Sequence, residues 1–234
     1  MQMHCSHTAI LIFARSAQDE VAHKSFFRPA GYRVNLAIAR LLNQKIERSA
    51  AQTGLPTFVV DSRQQTGPDF GSRFTRAIAS VFARGFQRVI AVGNDCLSLD
   101  HTQILAAEKS LDQHTLVLGP TTDGGTYLIG IDRSLFDADA FAQLPWQKAT
   151  LYQALLQWGQ QRGARSNCLA LAQDIDNSDD FIKALRALCQ GHLRTYLLHL
   201  IGWQHNPLID RAPAWSTTTL LPTTYLRGPP VYTH

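Results

Sequence analysis

Two apolar runs constrain this chain most. Thr8 to Ala14 (TAILIFA) and Val89 to Val92, the latter bounded by Arg88 and Gly93, are continuous and rich in β-branched residues. Runs of that length without polar alternation predict strands covered on both faces. Between and after them the pattern shifts to a helical period. Arg33 to Thr53 reads as a helix with Leu36, Leu42 and Ile46 largely on one face, ended by Gly54. Phe70 to Arg84 turns Phe74, Ile78, Val81 and Phe82 inward and stops at Gly85. Asp100 is placed to cap a helix running to about Leu111. Further strands are expected at Pro56–Val60, Thr115–Leu118, Tyr127–Ile131 and Cys168–Leu171. Further helices are expected at Thr150–Gln161 and from a Ser178 cap toward Leu200. Strands separated by helices predict βαβ units and a mainly parallel, doubly covered sheet.

Size and charge narrow the function classes. A chain of 234 residues with 45% hydrophobic and 17% charged content fits one α/β domain with a proper core, expected over residues 1–201. Gly202 to His234 changes character: it holds five prolines and the aromatic residues Trp203, Trp215, Tyr225 and Tyr232. An extended arm is expected there, packed on the domain or on a second copy in a homodimer, with a flexible end as the alternative. The formal charge of +4 contains no run of five or six like charges, so nucleic acid is not the expected partner. The four cysteines form no C-x-x-C pair, which argues against a zinc site and fits a reducing compartment. The first apolar run is too short for a signal peptide or a membrane span, so a cytoplasmic protein without a membrane partner is expected.

The chemistry-bearing residues follow the strands. In Arg88-Val-Ile-Ala-Val-Gly-Asn-Asp95 an acid stands just beyond a strand's carboxyl end, where open α/β sheets bind ligands. Mg²⁺ or Mn²⁺ needs only one or two protein carboxylates beside phosphate oxygens and water, so Asp95 alone can anchor it. The competing reading is a turn cap, but Asp100 already supplies the helix cap. Asp123-Gly124-Gly125-Thr126 precedes the next strand. Its glycines suit close approach of a ligand or of another backbone segment, and Asp123 is a candidate to bind a sugar hydroxyl, serve as general base, or complete a metal shell. An ordinary Asp-Gly turn explains the same residues. In the acidic stretch Asp174 to Asp180, Asp176 is the candidate second metal ligand and the others are expected to favour a helix N-terminus. Gly71 and Arg73 are candidate substrate contacts, Arg73 toward a base or phosphate, with a solvated arginine as the alternative.

Taken together, GNDCLSLD (93–100) and GPTTDGGTYLIGI (119–131), with GPDFGSRFTRAIASVFARGF before them and DIDNSDDF after, resemble a family of bacterial proteins of unknown function assigned to the glycosyltransferases. Some of its members are assigned to arsenosugar biosynthesis. That family is similar to the nucleotide-diphospho-sugar transferase (GT-A) superfamily and, more distantly, to 2-phospho-L-lactate guanylyltransferases. The resemblance spans about Ala9 to Leu185. It implies a GT-A-like, Rossmann-type three-layer αβα sandwich with a C-terminal helix and tail, Asp95 as the metal-associated aspartate, and Asp123-Gly124-Gly125 at the substrate. The family's first loop contains proline and glycine and ends in Lys-Thr-Arg-Leu. Here that stretch runs from Ser16 to Pro29, and only Lys24 and Arg28 stand where basic groups could replace it.

The expected activity is metal-dependent transfer of a sugar from a nucleoside-diphosphate sugar to a small acceptor. A nucleotidyltransferase of the phospholactate guanylyltransferase type would need a triphosphate-binding loop, against which the altered first loop argues. The remaining alternative is a catalytically degenerate relative that acts as a binding protein or subunit.

Overall fold

The computed structural model describes residues 7–175, 177–188 and 192–202. A six-stranded sheet in the order β2-β1-β3-β5-β4-β6 forms its centre. The strands are β1 (Thr8–Phe13), β2 (Thr57–Val60), β3 (Arg88–Val92), β4 (Leu116–Pro120), β5 (Thr126–Asp132) and β6 (Ser166–Cys168). β1 pairs in parallel with β2 and β3, and β4 in parallel with β6. β5 runs antiparallel to both neighbours, so five strands point one way and one points back. The sheet is thus mostly parallel, as the alternation of elements predicts.

The apolar runs split their side chains between two cores because successive strand residues face opposite sides. Ala9, Leu11 and Phe13 of β1 join Val89, Ala91, Leu118 and Ile129 under α3 (Phe70–Phe82), α5 (Ala138–Ala142) and α6 (Leu151–Gln161). Ile10, Ile12, Ile90 and Val92 pack on the other face, under α2 (Tyr32–Gln52) and α4 (His101–Ser110). Ile10 and Leu11 are fully buried. Each such side chain contributes about 1.5–3 kcal/mol by leaving water. A third cluster joins α1 (Ala17–His23), α7 (Ser178–Ala187) and α8 (His192–Gly202) to α2 through Ile38, Leu42, Phe181 and Leu197.

Several elements differ from expectation. The stretch after β1 is not a loop: its start winds into α1, capped by the Ser16 hydroxyl, which accepts from Asp19 N. The segment expected as one helix to Leu200 is divided. α7 ends where Leu188 turns extended (ψ 131°), and α8 begins at His192. The cap of α7 is Asn177 rather than Ser178, because Asn177 Oδ1 accepts from the amides of both Asp179 and Asp180. The last strand lies at Ser166–Cys168, starting two residues and ending three residues earlier than expected, because β4 pairs with it there. Asp100 caps α4 with a reciprocal capping box through Gln103, as expected. No helix among the described residues is long and apolar enough to cross a membrane. Asp176 and nearly all of the expected 202–234 extension, with its role in a dimer, lie outside the described residues.

Candidate functional site

One cleft of about 760 Å³ opens at the end of the sheet where β1 and β3 finish and β5 begins. Its size falls in the ordinary range for small-molecule sites. The antiparallel turn of β5 is what joins the two acidic motifs. Val92 at the end of β3 lies opposite Leu128 near the start of β5, so Asp95 and Asp123 come to the same edge and both line the cleft. Lys24, Arg73, Gly125 and Thr126 line it as well.

Asp95 belongs to a chain of charges. Its Oδ2 lies 3.9 Å from Lys24 Nζ, and the Lys24 ammonium lies 3.1 Å from Glu20 Oε1. Arg15 Nη1 approaches the same Glu20 oxygen at 3.8 Å. Lys24 also donates to the Ile175 carbonyl at 2.7 Å. The Glu20 side chain is only 4% exposed and that of Asp95 is 34% exposed, so the chain runs from a buried anchor to an accessible carboxylate. A β-carbon at Gly93 would lie 2.9 Å from Asp95 Oδ1, so the carboxylate folds back over a position kept bare for it.

The loop behind Asp95 is pinned from α2. Lys45 Nζ donates to the carbonyls of Cys96, at 3.2 Å, and Leu99. Burial pulls this lysine down from 10.5 to about 8, against the pull of Cys96 and Asp100. Asn94 donates to Asn43, and Ile175 N donates to the Asp95 carbonyl at 3.0 Å. The pairing of Cys96 with Asp174 brings Asp174 into the cleft wall. Buried Tyr127, beneath it, donates from its hydroxyl to Ala170 O at 3.1 Å, and burial pushes that phenol up to about 12.

Asp123 is held by its own turn. Its Oδ1 accepts from the Thr121 hydroxyl and from Gly125 N at 3.0 Å. Among the described residues its second oxygen takes no protein donor. The turn reading and the functional reading therefore coexist, one on each oxygen. Gly124 has φ +87°, and a β-carbon there would stand 1.9 Å from the Ala149 carbonyl oxygen. The approach that this glycine permits is one of backbone, and Gly124 is not on the cleft lining. Gly71 also stands off it, against the Ala142 carbonyl and the Trp146 ring. Arg28 is exposed and away from the lining, with its amide donating to the Ser178 hydroxyl at 2.8 Å.

Several lining residues were not singled out from sequence: Glu20, Asp174, Tyr127 and the segment Gln147–Ala149. Trp146 forms an aromatic wall with Phe70 and Phe74, with ring centroids 5.8 and 5.1 Å away. Trp146 also lines the cleft; as a tryptophan after Pro145 it is a candidate to stack on a ring, although in sequence plain packing is the commoner explanation.

A divalent cation fits this donor set in one form. No group of three or more His, Cys, Asp or Glu side chains suited to a metal exists among the described residues. What the cleft offers a hard divalent cation is one accessible carboxylate, Asp95 over bare Gly93, beside which ligand oxygens and water would fill the remaining positions.

The chain is similar to a crystal structure from Desulfovibrio desulfuricans G20, a candidate nucleotide-diphospho-sugar transferase. The two share 20% identity with a TM-score of 0.74 over 86% of this chain and 96% of that one. At that identity the likeness shows a shared fold. Weaker likenesses include Rv0371C of Mycobacterium tuberculosis H37Rv in complex with manganese (14% identity, 77% and 99% coverage, TM-score 0.42). Another is the mannosyltransferase PcManGT of Pyrobaculum calidifontis with GDP-Man and Mn²⁺ (12%, 87% and 71%, TM-score 0.40). No curated protein matches the chain. Residues 25–148, more than half of the sequence, match the bacterial family described as "Uncharacterized protein conserved in bacteria (DUF2064)", and the chain belongs to that family.

Proposed function

We propose that this protein transfers a sugar from a nucleoside-diphosphate sugar to a small hydroxyl-bearing acceptor, with a divalent cation held by Asp95. The observation that carries the reading is the meeting of Asp95, Asp123 and Lys24 in one cleft, at the sheet edge that such folds use for ligands. Bound at Asp95, Mg²⁺ or Mn²⁺ supplies charge neutralisation for the departing diphosphate, an effect of several kcal/mol. Lys24 adds a second positive charge at the same place, and Glu20 fixes its direction. Asp176 is the candidate second carboxylate. Asp123 offers its unengaged oxygen to the acceptor hydroxyl. As that hydroxyl's oxygen bonds to the anomeric carbon, the bond from that carbon to the diphosphate breaks. The electron pair leaves with the nucleoside diphosphate, and the hydroxyl proton passes to Asp123. Gly125, Thr126 and Arg73 line the same cleft.

Winding of the first loop into α1 favours sugar transfer over nucleotidyl transfer. Its residues spend their amides on helix bonds, such as Lys24 N to Glu20 O at 2.9 Å, rather than on a phosphate cradle. Calorimetric titration with UDP- and GDP-sugars, with and without Mg²⁺, tests the proposal. Binding is expected to require the cation and to be lost in Asp95→Ala. Cation-independent binding that survives this substitution would remove the metal role, and pyrophosphate release from a nucleoside triphosphate would replace the reaction.

A further inference from the structure

The cleft is charged differently at its two ends. Near Asp95 the cations are compensated: Arg15 and Lys24 both meet Glu20, and Lys24 also meets Asp95. At the other end, where the segment between α5 and α6 faces α3, Arg73 and Lys148 also line the cavity. Among the described residues neither has a carboxylate within 4 Å of its charged nitrogens, and neither side chain makes a hydrogen bond. The acid nearest Arg73 in sequence, Asp69, caps α3 by accepting from Ser72 N at 2.7 Å; that bond and, to a lesser extent, the Arg73 charge hold its carboxyl below the usual range, with no ion pair between the two.

The backbone that carries Lys148 is built rather than loose. Trp146 N donates to Leu144 O at 2.7 Å, Lys148 N to Pro145 O at 3.2 Å, and Leu151 N to Lys148 O at 3.0 Å. The Trp146 indole donates to Phe141 O at 2.9 Å. Between Trp146 and Lys148, Gln147 has φ +62°, a left-handed conformation that a glutamine adopts only when its surroundings impose it. Tyr152 N bonds to Gly124 O at 3.0 Å, and Ala149 lies against Gly124, so the segment is fastened to the turn that carries Asp123. Arg73 from α3 and Lys148 from this fastened segment, neither of them in an ion pair among the described residues, give the cleft positive charge that suits an anion.

We propose that Arg73 and Lys148 bind an oxyanion carried by the acceptor, so that the acceptor is a hydroxyl compound bearing a phosphate monoester or a carboxylate. This rests on the transferase reading for the word acceptor; the anion site itself does not. Asp123 then receives the hydroxyl beside the Ala149 contact while the cations hold the acceptor's charged group. Arginine offers a planar pair of donors to either oxyanion, and lysine a point charge.

The test compares glucose 6-phosphate, glucuronate and glucose, which share hydroxyls and differ in the oxyanion, by ligand-observed NMR titration of the full chain. Wild-type protein, Lys148→Gln, Arg73→Gln, the double variant and Lys148→Arg are compared, with thermal melting as the check that each folds. At least one anionic probe is expected to bind at least tenfold tighter than glucose. Each glutamine substitution should weaken that probe about tenfold, and Lys148→Arg should retain it. Preference for glucose 6-phosphate assigns the site to phosphate; equal binding of glucuronate assigns it to either oxyanion. Equal binding of glucose, no binding of either anion, or an unchanged double variant would overturn the proposal. So would displacement of the probe by UDP with the same losses for UDP, because the two cations would then serve the donor. A parallel titration with nucleotide sugars separates the two readings. Anion binding without nucleotide-sugar binding ends the transferase reading alone, and the reverse ends this one alone.

Discussion

The two carboxylates of the cleft are held in place by opposite means. Asp95 depends on distant parts of the chain: Lys24 and Glu20 from α1, Lys45 and Asn43 from α2, and Ile175 from the segment before α7. The Asp123 carboxylate depends on residues within two positions of itself, and the turn that carries it meets remote backbone at Ala149, Tyr152 and Ala172. The difference has a physical cause. A charge that must stay accessible beside a low-dielectric core needs compensating partners, and here those partners come through tertiary structure. A carboxylate at an exposed turn is solvated and needs only orientation, which a local hydrogen-bonded turn provides.

Breaking the close approach of Ala149 to the Asp123 turn should have the largest effect on stability. Gly124→Ala puts a β-carbon at φ +87° and into the Ala149 carbonyl, so the turn and the 145–150 segment cannot both keep their places. We expect a loss of about 3 kcal/mol or more in denaturant unfolding. A loss under about 1 kcal/mol would mean that the two segments separate freely. Next in size is Glu20→Gln on the other side of the comparison. It leaves Lys24 and Arg15 without their shared counter-charge in a nearly closed environment. Lys24 keeps Ile175 O and Asp95, so the expected loss is about 1–3 kcal/mol. An unchanged unfolding midpoint would show that the chain of charges does not anchor the Asp95 side.

This contrast also explains what the sequence discloses. Strands β1 and β3, the Asp100 capping box and the Asp123-Gly124-Gly125 turn are written in residues close together, so pattern and turn chemistry suffice to read them. α1 was missed because seven residues are too few to show a helical period, and it forms around partners such as Ser62, whose hydroxyl bonds Asp19, and Lys24. Asp174 was indistinguishable from Asp179 and Asp180 by spacing, and only its pairing with Cys96 brings it to the cleft. Gly71 and Gly124 looked like ligand approaches, and they are approaches of the chain to itself. A glycine reports that something comes near; its neighbours in sequence do not say what.

Lys45 offers a smaller effect that sharpens the account of the Asp95 loop. Its folded value of about 8 lies below the ordinary 10.5, so between these values the unfolded chain binds more protons than the folded one. Stability should therefore rise as pH climbs from about 8 toward 10, by on the order of 1 kcal/mol. The upward-shifted Tyr127 and Tyr152, both near 12, act only above about pH 10, where they lower stability. In Lys45→Met the rise should vanish. A Lys45→Met protein that keeps the same pH slope would assign the slope to other groups and leave Lys45 as an ordinary ammonium donor to Cys96 and Leu99.

Asp123→Asn should have the smallest effect on folding and separates the two duties of this side chain. An asparagine keeps a carbonyl oxygen where Oδ1 accepts from Thr121 and Gly125, so the turn should persist with less than about 0.5 kcal/mol of change. The second position becomes an amide, which donates and cannot take a proton. If Asp123 receives the acceptor's proton, turnover should fall by about 10²–10⁴ while donor binding holds, because the Asp95 side is untouched. The same substitution would leave both stability and turnover intact if Asp123 only shaped the turn. The local character of its support makes this side chain the more informative to change. At Asp95, loss of charge disturbs a network that reaches Arg15, whereas at Asp123 a change in chemistry can be made with the backbone left in place.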